Sequence, residues 1–568
     1  MKLIKKLRWQ ILIIVLALVV IAFVLWGQQA EPVLVEAPEP TSGGVYTEGV
    51  IGTLMRLNPL LAEFNPPDQD PASLLFRGLI RFDSTGLPQP DLSSAWGISQ
   101  NGDIYNFSLR QDIFWHDGEP VTSEDVVFTV SLLQDPDFPV PEDLAVFWQE
   151  IEVVSLDEKT LQFRLPEAHS PFLSYLDFGI LPAHLLADLS VQEIVDAPFN
   201  LQPVGTGPFK FDQLIVEEGL IVGVVLNKNQ EFYGQQAYLD QVAFRYYSDS
   251  KAVWEAYQEG EIQGVGRITE DILFEALADE NLRFHTSRLP EMTLVLLNLD
   301  NPELPFLSQP ELRKALLHGI NRQYLVDHIN QGQAIIADGP IFPKTWAYYD
   351  NLPRYEFEPE LAVEILKDLG YTFPSEDVLA RENEEGDRLE MELIYPETGV
   401  HAQVAQTIQE YWTALGFKII LRPLPYQELL DMLESRDYEA ALVDLNLTGM
   451  PDPDPYPFWH QAQRTGGQNY SMWNDRRASE YLEQARLLPD IVDRANLYKN
   501  FQVRFHDQLP ALPLYYPVYN YGVSAEVKGV RIGPIFEASD RLNTITDWYF
   551  FVEVPGGLEP TVADSITE

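Results

Sequence analysis

The chain has 568 residues, 46% of them hydrophobic, and a net charge of −48; it is long and apolar enough for roughly three or four structural units with a sizeable core. That acidity leaves no basic footprint for phosphates and excludes nucleic acid as a partner. Cysteine is absent, which excludes disulfide scaffolds, thiolate zinc sites, cysteine nucleophiles and a lipid-modified N-terminal cysteine.

Lys2, Lys5, Lys6 and Arg8 precede an unbroken apolar run from Ile11 to Trp26. Residues 9–27 are long enough for one transmembrane helix, which needs about 20 residues. The preceding charges assign residues 1–8 to the cytoplasm. On this reading the protein is single-pass in the cell membrane and everything beyond is extracytoplasmic. The rival reading is a cleaved signal peptide that releases a secreted or periplasmic chain. It wants a shorter apolar run and small residues at the cut, whereas Gln28 stands three back from the end of Gly27-Gln28-Gln29-Ala30. Residues 28–43 read as a proline-punctuated linker, and 551–568 as an acidic tail.

Between them, strand and helix patterns alternate. Asp103 to Arg110 switches polar and apolar residues at every step, a half-buried strand, and Asn101-Gly102 before it is a hairpin turn pair. A helix begins near Ser123, capped by Thr122 or Ser123, with acids in its first turn. Leu161 to Leu165 is another strand. Helices follow at Gln309 to Ile320, at Leu361 to Leu369 closed by Gly370, and at His401 to Leu415 closed by Gly416. Phe417 to Leu421 is the next strand. This alternation predicts an α/β architecture, and no 20–50-residue repeat suggests a solenoid or propeller.

Catalytic signatures fail. There is no nucleophile elbow and no phosphate-binding Gly-Lys loop; Gly205-Thr206-Gly207-Pro208 lacks the third glycine of a dinucleotide site. No two histidines stand four apart, so helical zinc pairs do not exist, and no cofactor or metal site is expected. The most unusual cluster is Asp452-Pro453-Asp454-Pro455, followed by Tyr456, Phe458 and Trp459. It lacks the glycine and third oxygen of a calcium loop, and neighbouring loop acids do not establish the separation a glycosidase needs. It reads as a solvated turn or as a ligand-cleft loop, with the aromatics as pocket wall or as core.

Several segments together carry a resemblance. They are Gly86 to Trp96, Ser99 to Asp103, Tyr105 to Arg110 and Phe114 to Val126, then Pro203 to Phe209, Asn227 to Phe232 and Gly260-Glu261-Ile262. Leu312 to Leu316 with Ile320-Asn321-Arg322 follows, and then Asp452-Pro453 with Asn469-Tyr470-Ser471. In this order they resemble the family-5 extracytoplasmic solute-binding proteins of ABC importers, which include oligopeptide-, dipeptide- and nickel-binding proteins. The resemblance implies a two-lobe periplasmic-binding-protein-like fold of type II, α/β, with an extra subdomain at about 83–199. The lobes would span 44–290 and 291–514, with 515–550 returning to the first. It implies a monomer that is not an enzyme. Such a receptor captures a peptide, oligosaccharide or similar small solute between its lobes and delivers it to ABC permease subunits. The candidate ligand contacts are Tyr46, Glu48, Asn65, Trp346, Asp452, Asp454, Tyr456, Trp459 and Tyr470. In peptide-binding members an aspartate three residues before the acid–proline pair holds the peptide's amine; here Gly449 or Pro451 occupies that place, depending on which pair is meant. Two other readings are kept: a surface hydrolase using Asp452 and Asp454, and a sensing or adhesion module that has lost transport.

Overall fold

Apolar residues in the strand Glu291–Leu297 alternate between two cores: Met292, Leu294 and Leu296 face one, Val295 and Leu297 the other. A strand buried on both faces this way belongs in the middle of a covered sheet. The computed structural model describes residue 40 and residues 42–551 except 376 and 377. The expected helix over 9–27, most of the linker 28–43 and the tail beyond 551 lie outside the described residues. Among the described residues no helix is long and apolar enough to cross a membrane.

Glu291–Leu297 lies between Ala440–Asn446 and the 14-residue strand Ala511–Ser524, antiparallel to both. Glu390–Pro396 pairs in parallel with Ala440–Asn446 on one side and with Lys418–Leu424 on the other. Parallel neighbours need a crossover, and the helix Gly399–Leu415 supplies it between Glu390–Pro396 and Lys418–Leu424. Gly416 ends that helix with φ of +97°, as its position in the sequence predicts.

The far end of Ala511–Ser524 belongs to a second group of strands. It pairs with Leu282–Arg288 and with Gly264–Val265, next to Val45–Ile51, Gln241–Tyr247, Leu220–Lys228 and Phe209–Glu217. The chain therefore passes between the two halves of the sheet at Leu289 and Pro290 and returns within Ala511–Ser524. The passages are tied together where the Leu289 N–H donates to the Pro517 carbonyl at 2.8 Å. A separate four-stranded sheet, in the order Ser93–Ile98, Ile104–Leu109, Thr160–Arg164, Glu152–Asp157, packs with the helix Ser123–Gln134. Its first hairpin turns at Asn101-Gly102, with Gly102 at φ +78°.

Gly205 and Gly207 are expected to be needed for backbone conformations other residues disfavour, but the physical reason is space. A Cβ on Gly205 would lie 1.9 Å from the Leu75 carbonyl oxygen, and one on Gly207 2.0 Å from that of Leu74. His116 braces the same loop: its Nδ1 accepts from the Gly205 N–H, which leaves Nε2–H to donate to the Gly207 carbonyl. Burial pushes the His116 pKa down to about 4, so the ring stays neutral.

Candidate functional site

Away from the strand passage, the halves meet through a few breakable contacts. The Trp346 N–H donates to the Thr85 carbonyl at 2.9 Å, and the Gly449 N–H to that of Phe536 at 2.9 Å. The Ser170 hydroxyl donates to the Leu488 carbonyl. Gly86, at φ +83°, lets the chain turn directly against Pro451, whose oxygen would lie 2.4 Å from any Cβ there. The loop Gly449 to Pro455 thus faces the first half along this line.

Both acids of that loop are engaged. Asp452 receives Nη1 and Nη2 of Arg494 at 2.7 and 2.9 Å, a bidentate pair. Burial alone would lower the Arg494 pKa, but the Asp452 carboxylate more than reverses this, and the guanidinium is held charged. Asp454 receives Arg486 Nε at 2.7 Å, and its other oxygen accepts the Tyr456 N–H at 3.1 Å. The two arginines come from the antiparallel helices Arg476–Leu487 and Ile491–Gln508. Arg486 lies 3.6 Å over the Tyr456 ring, which itself stacks on His460 at 4.1 Å, and Arg494 lies 4.9 Å from the Trp346 ring. Trp346, Asp452, Asp454 and Tyr456 are therefore one assembly, built from charge pairs and stacked rings. The turn is not solvated, and neither acid is left to act as a hydrolytic acid or base.

Other candidates fall elsewhere. Tyr46 and Glu48 are fully buried. One Glu48 oxygen accepts from the hydroxyls of Tyr46 at 2.6 Å and Tyr521 at 2.8 Å; the other is paired with Arg541, which also reaches Asp70. This ties the first strand to the C-terminal segment and engages both Glu48 oxygens inside the protein. Trp459 is likewise a core residue, 2% exposed and edge-on to Phe505 at 4.8 Å. Asn65 precedes the helix Pro66–Leu75 and donates to the Thr53 carbonyl. Tyr470 lies under Arg436, its carbonyl accepting from the Tyr438 hydroxyl.

The sequence reading missed Arg486, Arg494 and Arg541, whose partners lie 32, 42 and up to 493 residues away. It also missed a group of acids in the first half. Burial of its carboxyl, with the charges of Glu537, Asp540 and Asp91, pushes the Asp177 pKa well above the usual carboxylate range. Burial and Asp540 push Glu537 up to about 7.

Beneath the acidic loop lies a cavity of about 20 Å³, lined by Ile341, Phe342, Met450, Asp452, Pro455 and Trp459 among others. Small-molecule sites run to roughly 300–1,000 Å³, so this cavity is too small for a solute as it stands.

Residues 88–468 match the family described as bacterial extracellular solute-binding proteins, family 5 middle. The dipeptide-binding protein of Escherichia coli (strain K12) is 26% identical over 470 residues, covering 78% of this chain and 84% of its own. Among solved structures, HbpA2 from Haemophilus parasuis superposes with a TM-score of 0.78 at 21% identity, over 90% of this chain and 100% of its own. The oligopeptide-binding protein AppA from Bacillus subtilis, solved with a nonapeptide, gives a TM-score of 0.64 at 21% identity, over 90% of this chain and 100% of its own. The mixed α/β sheets joined by one paired strand passage are the two lobes of a periplasmic binding protein, and no acid of the central loop is free for catalysis. The chain belongs to the bacterial extracellular solute-binding proteins of family 5 and is the extracytoplasmic substrate-binding component of an ABC importer, not an enzyme.

Proposed function

We propose that this receptor captures a short peptide or peptide-like solute between its lobes and hands it to its permease as a monomer, tethered by residues 9–27. The observation that carries the reading is the mechanical layout. Two strand passages, paired with each other where Leu289 donates to Pro517, join the lobes, and the loop Gly449 to Pro455 meets the facing lobe through the hydrogen bond from the Gly449 N–H to the Phe536 carbonyl. A solute entering there gains contacts from both lobes only when they close, so binding and closure are one equilibrium. The peptide class is supported by the E. coli relative, a dipeptide-binding protein similar over 78% of this chain, and by the AppA structure with its nonapeptide. We take 44–290 with 515–550 as one lobe, carrying the subdomain at about 83–199, and 291–514 as the other.

Trp346 and Tyr456, both half-buried, are the aromatic wall we assign to the solute, with Asn65 and Tyr470 at its margins. Asp452 and Asp454 serve as the rigid, already neutralised floor. Gly449 offers no carboxylate to an amine, and Glu537, one residue beyond its partner Phe536, is largely protonated below neutral pH. The solute is therefore not held mainly through a free amine. Thermal-shift screening of short peptides, oligosaccharides and metal chelates tests the reading, since a ligand of the folded state raises its stability. Stabilisation by peptides supports it; stabilisation only by oligosaccharides or chelates contradicts it.

A further inference from the structure

Three histidines among the described residues have a buried Nε2 with no hydrogen-bond partner: His169, His285 and His401. His401 Nε2 lies 3.1 Å from a carboxylate oxygen of Asp444, so a proton there meets a counter-charge. His285 lies within the strand Leu282–Arg288, its ring 6.2 Å from that of Tyr521 in the same lobe. His169 differs, because it stands where the subdomain of one lobe meets the other lobe. The next residue, Ser170, donates its hydroxyl to the Leu488 carbonyl. The residue before it, Ala168, packs on the hairpin turn at Gly102, where a Cβ would lie 3.1 Å from that of Ala168 and 3.5 Å from the Leu487 carbonyl oxygen. The segment Ala168 to Ser170 therefore seats the connection 487–490 between the helices Arg476–Leu487 and Ile491–Gln508.

The surroundings of the ring say what a proton would do. From its own subdomain the rings of Phe147 and Tyr175 lie 5.7 and 6.0 Å away, and the Tyr105 hydroxyl donates to the His169 carbonyl. From the other lobe it faces the charges of Arg486, Asp454 and Arg494. Two of those three are cations. Asp454 already accepts from Arg486 Nε and from the Tyr456 N–H, and Asp452 is held by Arg494. A proton on His169 adds a third cation beside two arginines, in a buried place where both acids are engaged, and that is costly. Burial pushes the His169 pKa down to about 4, with Arg486 adding to the shift, so the ring is neutral at pH 7. Once the lobes part, water reaches the ring and it returns toward the ordinary value of roughly 6.5.

We propose that His169 is a proton-sensitive clasp: neutral, it lets the two lobes seat on each other at 487–490, and protonated, it drives them apart. The inference rests on the lobe closure proposed above and adds that acid opposes it. The sign follows from linkage. The closed form binds the proton less tightly than the open form, so closure is unimpaired above about pH 6.5 and weakens as pH falls toward about 4. A receptor built this way holds its solute at neutral pH and loosens its grip in an acidified medium.

The test uses the full chain without solute, spin-labelled through Gln100→Cys and Val492→Cys, two exposed positions on either side of the clasp. Electron–electron double resonance is read at about pH 7.5 and about pH 5. The expected result is a short-distance population that falls roughly fivefold or more against the long one on acidification. In His169→Phe, which keeps a ring and cannot titrate, the ratio should not move with pH. Glu537, raised to about 7, titrates in the same window and is left intact in both chains. A pH dependence that survives in a folded His169→Phe therefore belongs to another group and overturns the inference. A broad distribution that is the same at both pH values in the chain with His169 overturns it too and leaves lobe closure standing; this arm needs no variant at 169, so misfolding of His169→Phe cannot blur it. A single narrow distribution at both pH values removes lobe closure and the inference together.

Discussion

Asp452 and Arg494 show how a single pair converts an acidic loop into a floor. With Asp452 amidated, Arg494 keeps its burial and loses its charge partner. Asp452→Asn is expected to cost about 3–5 kcal/mol in urea unfolding, the usual penalty for breaking a buried pair from one side; a change below about 1 kcal/mol would show the pair to be incidental. Glu537 gives a pH signature of the opposite kind. Its folded pKa is raised, to about 7 from 4.5, so the folded state holds the proton longer than the unfolded state does. Stability therefore falls as pH rises from roughly 4.5 through 7, and the full cost is present above 7. Glu537→Gln keeps an acceptor for Ser539, which donates to Glu537 Oε1. It should stabilise the chain at pH 8 by about 1–3 kcal/mol and flatten that window, as read from melting temperatures across pH. The acids of the loop were legible in the sequence, because paired Asp-Pro steps are unusual. Their arginine partners were not, since nothing local marks residues 32 and 42 positions away as cations for them.

At the scale of elements, local signals were read well where one residue decides the geometry. Gly416 and Gly370 end their helices at positive φ, the Asn101-Gly102 turn forms, and Thr122 with Asp125 makes a capping box at the start of Ser123–Gln134. The glycine loop was located correctly but for the wrong reason: its glycines make room for the end of the helix Pro66–Leu75 and adopt no left-handed conformation. Gly205→Ala should cost about 1–3 kcal/mol or more in denaturation, because a backbone carbonyl cannot step aside; unchanged stability would contradict the packing. For Trp459 the sequence left pocket wall and core both open, because a short aromatic cluster after a proline loop does not say which ring turns inward; in the structure it is 2% exposed. Its replacement by alanine is expected to lower stability by about 3–5 kcal/mol as a core truncation, with peptide affinity of the folded fraction little altered. A loss of affinity at full stability would place it in the solute site instead.

For the whole molecule, the two-lobe plan was legible because the family-like segments recur in order along the chain. The lobe bounds at 290/291 and 514/515 came from the resemblance alone and not from any local pattern, since nothing in the run Ala511–Ser524 marks it as a strand that serves both halves. Around that passage Ala511–Ser524 is paired with Leu282–Arg288, Glu291–Leu297 and Ala334–Ile336, and on the proposed reading the lobes close about it. The central claim is that a peptide-like solute closes the lobes. The chain has no cysteine, so Gln100→Cys and Val492→Cys would carry spin labels at those two positions alone. Both are exposed, one on the subdomain hairpin and one near the facing Leu487–Leu488 turn. Electron–electron double resonance with and without a saturating tripeptide library is the direct measurement. The account predicts a longer, broader distance distribution without peptide that shortens and narrows with it; saturating, calorimetrically verified binding with an unchanged distribution would contradict it.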